Sequence, residues 1–400
     1  MEIGLIRKRF LLHGGAERFT STLAKELIKR KHDVHVYASA WDNAKGVTYH
    51  DVPVLPFGGS FFKAMMFAFT AKLELIQEPC DIVINNEKVV AGDIYRAGDG
   101  CHREWLKVRK QYISSIRAAL QLISPFHLLM RLLEKQIFTS KLCKKYIAIS
   151  EMVKKDIMNN YDVPAKDIKV IYNGVDSSAF RPAVNEAERE NIRKEFGYDK
   201  NHYVILFVGS CFERKGLKFL LQAFAQLNSE KARLLVVGKG NKNKYSQYLK
   251  GIEDKVQFTG IIEDREKVFR AADVFAFPTL YEPFGNVQLE ALASGLPVIT
   301  TSRSGAAEII EEDVHGYVVE KPEDVDDIAK HLRTLAKEGK RKAMGAAARE
   351  LAQKFPVGKN VSEILELCRE VQEIKHAEMV QYLKEKAEKE AEEKAKKEKK

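Results

Sequence analysis

The chain has 400 residues, 45% of them hydrophobic and 30% charged, and a formal net charge of +10. This composition excludes a disordered or collagen-like chain, and the length exceeds one ordinary core, so two α/β domains plus a tail are expected. No stretch approaches the roughly 20 unbroken apolar residues that cross a bilayer, and "MEIGLIRKRF" lacks the apolar core and cleavage site of a signal peptide. An unprocessed cytoplasmic protein is the expectation.

The chain opens as strand, glycine loop and helix. "EIGLIRKRF" is apolar and alternating, His13-Gly14-Gly15 breaks it, and "AERFTSTLAKELIKRKH" carries apolar residues near a 3.6 spacing. "DVHVYAS" returns as a β-rich run, so the unit reads as βαβ with a parallel sheet. "CDIVINNE" and "KKYIAIS" supply further buried-strand candidates. The pattern restarts after a Gly, Asp, Ser and Pro cluster at Asn173–Pro182, which predicts a domain boundary. "HYVILFVGS", "ARLLVVGKG", "KVQFTGII", "DVFAFPT" and "LPVITT" are five strand-like runs with helical patterns between most of them. This predicts a second doubly wound domain. The expected organisation is a domain over 1–175, another over 176–356, a helix over 357–376 and a Lys/Glu tail over 377–400.

Cys80, Cys101, Cys143, Cys211 and Cys368 are scattered and form no CxxC pair, so neither a disulfide framework nor a zinc site is expected. Cys101, close to Asp99 and His102, reads either as a nucleophile or as a small apolar filler. From Arg103 to Lys145 ten Lys/Arg face only Glu104 and Glu134, a local charge of 10 − 2 = +8. Apolar positions 106, 113, 116, 120 and 123 recur at helical spacing there. Trp105, Lys107, Arg109, Lys110 and Arg117 then read as one basic amphipathic helix facing an anionic membrane. A helix docked on its own domain with solvated cations fits the same pattern. No nucleic-acid recognition motif accompanies the charge.

The stretch "ADVFAFPTLYEPFGNVQLEALASGLPVITT" carries the most chemistry. A buried strand ends near Pro278 and a helix starts near Phe284, Gly285 and Asn286. Free backbone amides at that start would bind anionic or ring oxygens, and Gly285 lets a ligand approach. Glu282 and Glu290 frame those amides and suit a polyhydroxyl ligand, although spacing alone fits an ordinary helix start equally well. In "FVGSCFERKG", Gly209 follows a strand, and Arg214 and Lys215 open the next helix as a diphosphate cradle. Gly238 in "VVGKG" marks another strand-to-loop switch. Asp324-Val-Asp326 reads as an acid-rich helix start rather than a metal site.

These motifs resemble retaining glycosyltransferase family 4, the GT-B type with two facing Rossmann-like domains. The resemblance covers roughly residues 1–370, and its most specific element is the paired-glutamate motif Glu282-PFGNVQL-Glu290. It implies that Glu282 and the amides after it hold the donor sugar and Glu290 the nucleotide ribose. Arg214 and Lys215 would grip the diphosphate, the backbone near Ile262 would read the base, and Gly14 and Gly15 of "GGAER" would approach the diphosphate and acceptor. "HGGAERF" and "YRAGDGCHREW" are similar to the lipopolysaccharide core glucosyltransferase I group. There Asp99, with His102 nearby, stands at the acceptor-side position that many members fill with histidine.

The resemblance implies transfer of a hexose from a nucleoside diphosphate donor, UDP-glucose in that group, to a lipid-linked glycan. No separate cofactor and no metal would be needed, because the cations stand where a metal otherwise sits. It also implies a cytoplasmic enzyme held peripherally at the inner face of the cell membrane. Alternatives are the same donor chemistry on a soluble acceptor, or a nucleotide-sugar-binding protein without turnover.

Overall fold

A computed structural model describes residues 1–10, 15–55 and 57–398, with side chains described from residue 19 in the second stretch and up to 392 in the third. The N-terminal half contributes strands β1 (Glu2–Ile6), β2 (Asp33–Ala38), β3 (Val47–Asp51), β4 (Ile82–Asn85), β5 (Ile94–Ala97), β6 (Lys145–Ala148) and β7 (Ile168–Val170). The second half contributes β8 (Tyr203–Val208), β9 (Ala232–Val237), β10 (Val256–Gly260), β11 (Val274–Phe277), β12 (Val298–Thr301) and β13 (Gly316–Val319). They form two sheets, in the orders β3-β2-β1-β4-β5-β6-β7 and β10-β9-β8-β11-β12-β13. Every pair of neighbours is parallel.

This is the two-domain GT-B architecture. Helices cover both faces of each sheet, so central strands read as continuous apolar runs, and all residues of β4, β8, β11 and β12 are buried. The strand order reverses between β2 and β4 around β1, and between β9 and β11 around β8. Open α/β sheets bind ligands outside the carboxyl ends of the strands at such switch points. Here the two crevices face one another across a cleft.

One helix, Val357–Glu398, replaces the separate helix and tail read from the sequence. Val361, Ile364, Cys368 and Val371 sit on one stripe and join the core of β1, β2 and β4, so this helix straps the second half of the chain back onto the first. Its residues 378–392 are exposed.

The basic segment departs from the expected single helix. It forms His102–Lys110, Ser115–Ile123 and Pro125–Thr139, broken at 111–114 and again before Pro125. Leu106 is buried, whereas Ile116 and Ile123 are 75% and 68% exposed. The five apolar positions therefore do not share one face, because two helix axes carry four of them and Ile113 lies in the break between. Among the described residues no single helix is long and apolar enough to cross a membrane.

Candidate active site

After β11 the chain turns through Pro278–Gly285 into the helix Asn286–Ala293. Gly285 takes φ +86°, and a Cβ there would lie 2.4 Å from the Gln288 side chain, so the turn requires glycine. The Phe284 ring is fully buried and packs 5.8 Å from Tyr172, fixing the entry to the helix. Among the described residues no backbone acceptor takes the amides of Phe284, Gly285 and Asn286. They remain donors at a helix N-terminus.

Arg214 Nη1 lies 3.1 Å and Lys215 Nζ 3.7 Å from Glu282 Oε2. Lys215 reaches this carboxylate past Gly209, where a Cβ would stand 2.5 Å from its side chain, and its ammonium sits 4.9 Å from the Phe277 ring centroid. Burial pushes the Lys215 ammonium down from its ordinary value, opposed by Glu282. Arg265 Nη2 is 2.8 Å from Glu290 Oε1. Glu282 Oε2 and Glu290 Oε2 are buried, and among the described residues neither accepts a hydrogen bond. Glu282 Oε2 keeps its two ion pairs, whereas Glu290 Oε2 has neither, a rare state for a buried oxygen that a ligand hydroxyl would satisfy. The Gly238 amide donates to the Gly260 carbonyl at 2.7 Å, tying the ends of β9 and β10 beside half-buried Ile262.

Asp99 and His102 line a cleft of about 230 Å³ together with Lys88, Trp105, Arg214 and Glu282. The residues expected on the donor and acceptor sides thus meet in one cavity. Asp99 is largely exposed, with Arg7 Nη1 at 3.9 Å. Burial, reinforced by Lys88, pushes the His102 imidazole down to about 4, so it is neutral at pH 7. Its Nε2 lies 3.1 Å from His127 Nδ1. Cys101 is fully buried and burial raises its thiol well above the ordinary value, which fits a packing role. Gly14 lies outside the described residues, and Gly15 is the first residue of the helix Gly15–Lys29.

Two expected membrane residues face the cleft instead. The Trp105 ring stacks 6.4 Å from Tyr281, because the helix His102–Lys110 leans on the second domain. Arg109 Nε lies 3.6 Å from Glu213 of that domain. Lys107 is exposed and bonded to Glu104 and Asn160, and Lys110 and Arg117 are exposed.

Residues 13–179 match the family described as Glycosyltransferase Family 4, and residues 188–351 match Glycosyl transferases group 1. Both domains are thereby accounted for. The chain belongs to the GT-B glycosyltransferases. It is 26% identical over 332 residues to lipopolysaccharide glucosyltransferase WaaG of Escherichia coli (strain K12), covering 81% of this chain and 87% of that protein. An uncharacterized glycosyltransferase of Methanocaldococcus jannaschii is 35% identical over 189 residues, 46% of this chain and 48% of that protein, so this match spans about half of the relative. The crystal structure of WaaG superposes with a TM-score of 0.80 at 23% identity, covering 92% of this chain and 99% of that one. HepE of Anabaena in complex with UDP-glucose gives 0.72 at 21%, covering 92% and 100%. At these identities the structural likeness is one of fold.

The glycosyltransferase closes its cleft through groups that no local pattern marks. The Tyr281 hydroxyl donates to Asp156 Oδ2 at 2.9 Å and accepts from the Cys101 amide at 3.2 Å. Arg214 holds the Tyr281 carbonyl at 2.9 Å. Ser150 Oγ donates to the Pro283 carbonyl at 2.7 Å, and Asn173 Nδ2 to Asn286 Oδ1 at 2.6 Å. Glu308 accepts the amides of Glu151 and Met152, capping a helix of the opposite domain. Arg265 alone had a local signal, since a cation at a helix N-terminus opposes the dipole and asks for a reason.

Burial pushes the Asp156 carboxyl up to about 7 from 3.8 despite the Tyr281 hydroxyl, with Glu104 and Glu134 adding to the rise and Lys107 opposing it. A raised carboxyl stabilises the fold fully below about pH 4, and this contribution is lost as pH rises through about 7. Asp156→Asn keeps an acceptor for Tyr281 and removes the titration. Urea unfolding is expected to show it more stable than wild type by roughly 2–4 kcal/mol at pH 8, with the gap closing towards pH 4. Parallel pH profiles for the two proteins would contradict this.

Proposed function

We propose that this glycosyltransferase moves a hexose such as glucose from a nucleoside diphosphate donor, UDP-glucose in the first instance, to a lipid-linked glycan, with retention at the anomeric carbon. The observation that carries the reading is the pair of buried oxygens Glu282 Oε2, ion-paired with Arg214 and Lys215, and Glu290 Oε2, without a hydrogen-bond donor among the described residues, beside the helix-start amides. The glutamates would take hydroxyls of the sugar and ribose. Arg214, Lys215 and the amides would stabilise the departing diphosphate without a metal. The anomeric bond to the diphosphate breaks, the acceptor oxygen replaces it on the same face, and the acceptor proton leaves with the diphosphate. The likeness to a lipopolysaccharide glucosyltransferase, WaaG, and to HepE in complex with UDP-glucose supports this choice of donor and acceptor class.

A ligand that binds only the native state raises its melting temperature, by about 2.7 kcal/mol of stability at a hundred times Kd. A thermal-shift series with UDP-, GDP- and ADP-sugars is expected to give its largest shift with UDP-glucose, and Glu290→Ala to abolish that shift. No shift with any of them would contradict the reading.

Association with an anionic membrane surface rests on exposed apolar side chains interleaved with cations. Phe62, Phe69 and Ile76 of the helix Ser60–Gln77 are exposed, beside Leu128 and Leu132 of Pro125–Thr139 with Arg131 and Lys135. An apolar area shared by two neighbouring helices is unusual for a monomer in water. The protein is expected to sediment with phosphatidylglycerol vesicles and Phe62→Asp/Phe69→Asp to remain in the supernatant. Wild type staying in the supernatant would favour a soluble acceptor.

A further inference from the structure

The sugar-transfer cleft opens, past Trp105 and Arg214, into a larger one of about 680 Å³ between the helix His102–Lys110 and the loops after β8 and β9. The donor residues Glu282, Asn286 and Glu290 do not line it. Its charged lining is six cations, Arg109, Arg117, Arg214, Lys218, Lys239 and Lys244, and a single acid, Glu213. Glu213 pairs with Arg109 and Glu282 with Arg214. Among the described residues Arg117, Lys218, Lys239 and Lys244 have no ion pair within 4.0 Å, leaving a local excess of four positive charges.

Half of the remaining lining residues are aromatic, which points to sugars. Trp105, Tyr112, Phe219, Tyr245 and Tyr248 line it, and Lys218 lies 5.2 Å and 5.7 Å from the Phe219 and Tyr248 ring centroids. Flat apolar faces suit the C–H faces of pyranose rings. A neutral glycan is usually held through carboxylates and amides, and only Glu213, Asn241 and Gln247 are of that kind here. Uncompensated cations in a walled cleft raise the local concentration of anions. A cleft between two domains admits a chain of sugars and not a bilayer.

We infer that the acceptor is an acidic glycan, carrying carboxylate or phosphate groups on the sugars next to the one that receives the transferred hexose, and that this cleft holds them. The inference rests on the proposed glycosyltransferase reading, and it specifies the acceptor by its charge. The anions neutralise Arg117, Lys218, Lys239 and Lys244 while the aromatic faces align the rings towards Asp99.

Isothermal titration of the full chain with trigalacturonate and with maltotriose tests it, since the two are similar in size and differ in three carboxylates. Wild type is expected to bind trigalacturonate at least about tenfold more tightly, the preference shrinking as salt rises. Lys218→Glu/Lys244→Glu, at two exposed positions, is expected to erase the preference. Equal affinity of wild type for the two trisaccharides overturns the inference, as does a preference unchanged in the double variant. UDP binding is read in parallel by thermal shift. If UDP fails to bind while the charge preference holds, the donor reading falls and the acidic cleft stands.

Discussion

Replacing Lys215 by alanine is expected to lower kcat about a hundred- to a thousand-fold, the loss typical of one preorganised charge removed from a developing anion. Lys215 Nζ is held by Glu282 and by the Phe277 face, with most of its side chain buried. An electrostatic interaction there is stronger than in solvent and needs no reorganisation as the diphosphate departs. Arginine is a poor substitute, because the side chain must pass the bare backbone of Gly209 and a guanidinium fork is wider than a methylene chain. Steady-state kinetics with UDP-glucose, beside circular dichroism as a check of folding, reads the effect. A kcat within threefold of wild type would show that the diphosphate is stabilised elsewhere.

Glu134→Ala is expected to destabilise the fold by about 3–5 kcal/mol, the range for breaking a buried ion pair from one side. Its carboxylate is fully buried and accepts from Lys88 Nζ, the Tyr161 hydroxyl and the amides of His102 and Arg103 at 2.7 Å and 3.0 Å. Burial alone would drive this carboxyl up, yet Lys88, Tyr161 and the His102 amide hold it below its ordinary value. Truncation strands the Lys88 ammonium and uncaps the helix that begins three residues after Asp99. Activity is therefore expected to fall more than the folded fraction does. Urea denaturation with kcat per folded molecule separates the two. An alanine variant within 1 kcal/mol of wild type would contradict the account of this buried group, the magnitude being that of an ordinary surface change.

Much of the fold is legible locally because parallel strands covered on both faces need unbroken apolar runs. "VILFV" and "VFAF" announce β8 and β11 for that reason. The edge strands β3 ("VTYHD") and β7 ("IKV") carry no such run, since one side of each lacks a partner and their residues are half polar. β5 is interior but short, and it contains Arg96, whose guanidinium is buried against Phe19 and Asn173. No alternation or run marks it.

The candidate site divides in the same way. Glu282, Gly285, Asn286 and Glu290 share one loop and one helix, so their spacing is readable. Tyr281, Asp156, Lys88 and Glu134 acquire their roles from partners that only the closed cleft or the packed helices supply. Trp105 is instructive, because amphipathic spacing puts it on a membrane face while the break at 111–114 turns its helix against the second domain.

The central claim is that Glu282, Arg214, Lys215 and Glu290 form a working donor site. Its most direct test is nucleotide release from UDP-, GDP- and ADP-sugars, measured on wild type and on Glu282→Ala with and without a lipid-linked glycan. Wild type is expected to release UDP from UDP-glucose at a rate that rises with the acceptor, and Glu282→Ala to release it at least a hundredfold more slowly, the scale of one lost transition-state contact. No release from any donor by wild type, or undiminished release by Glu282→Ala, would contradict it.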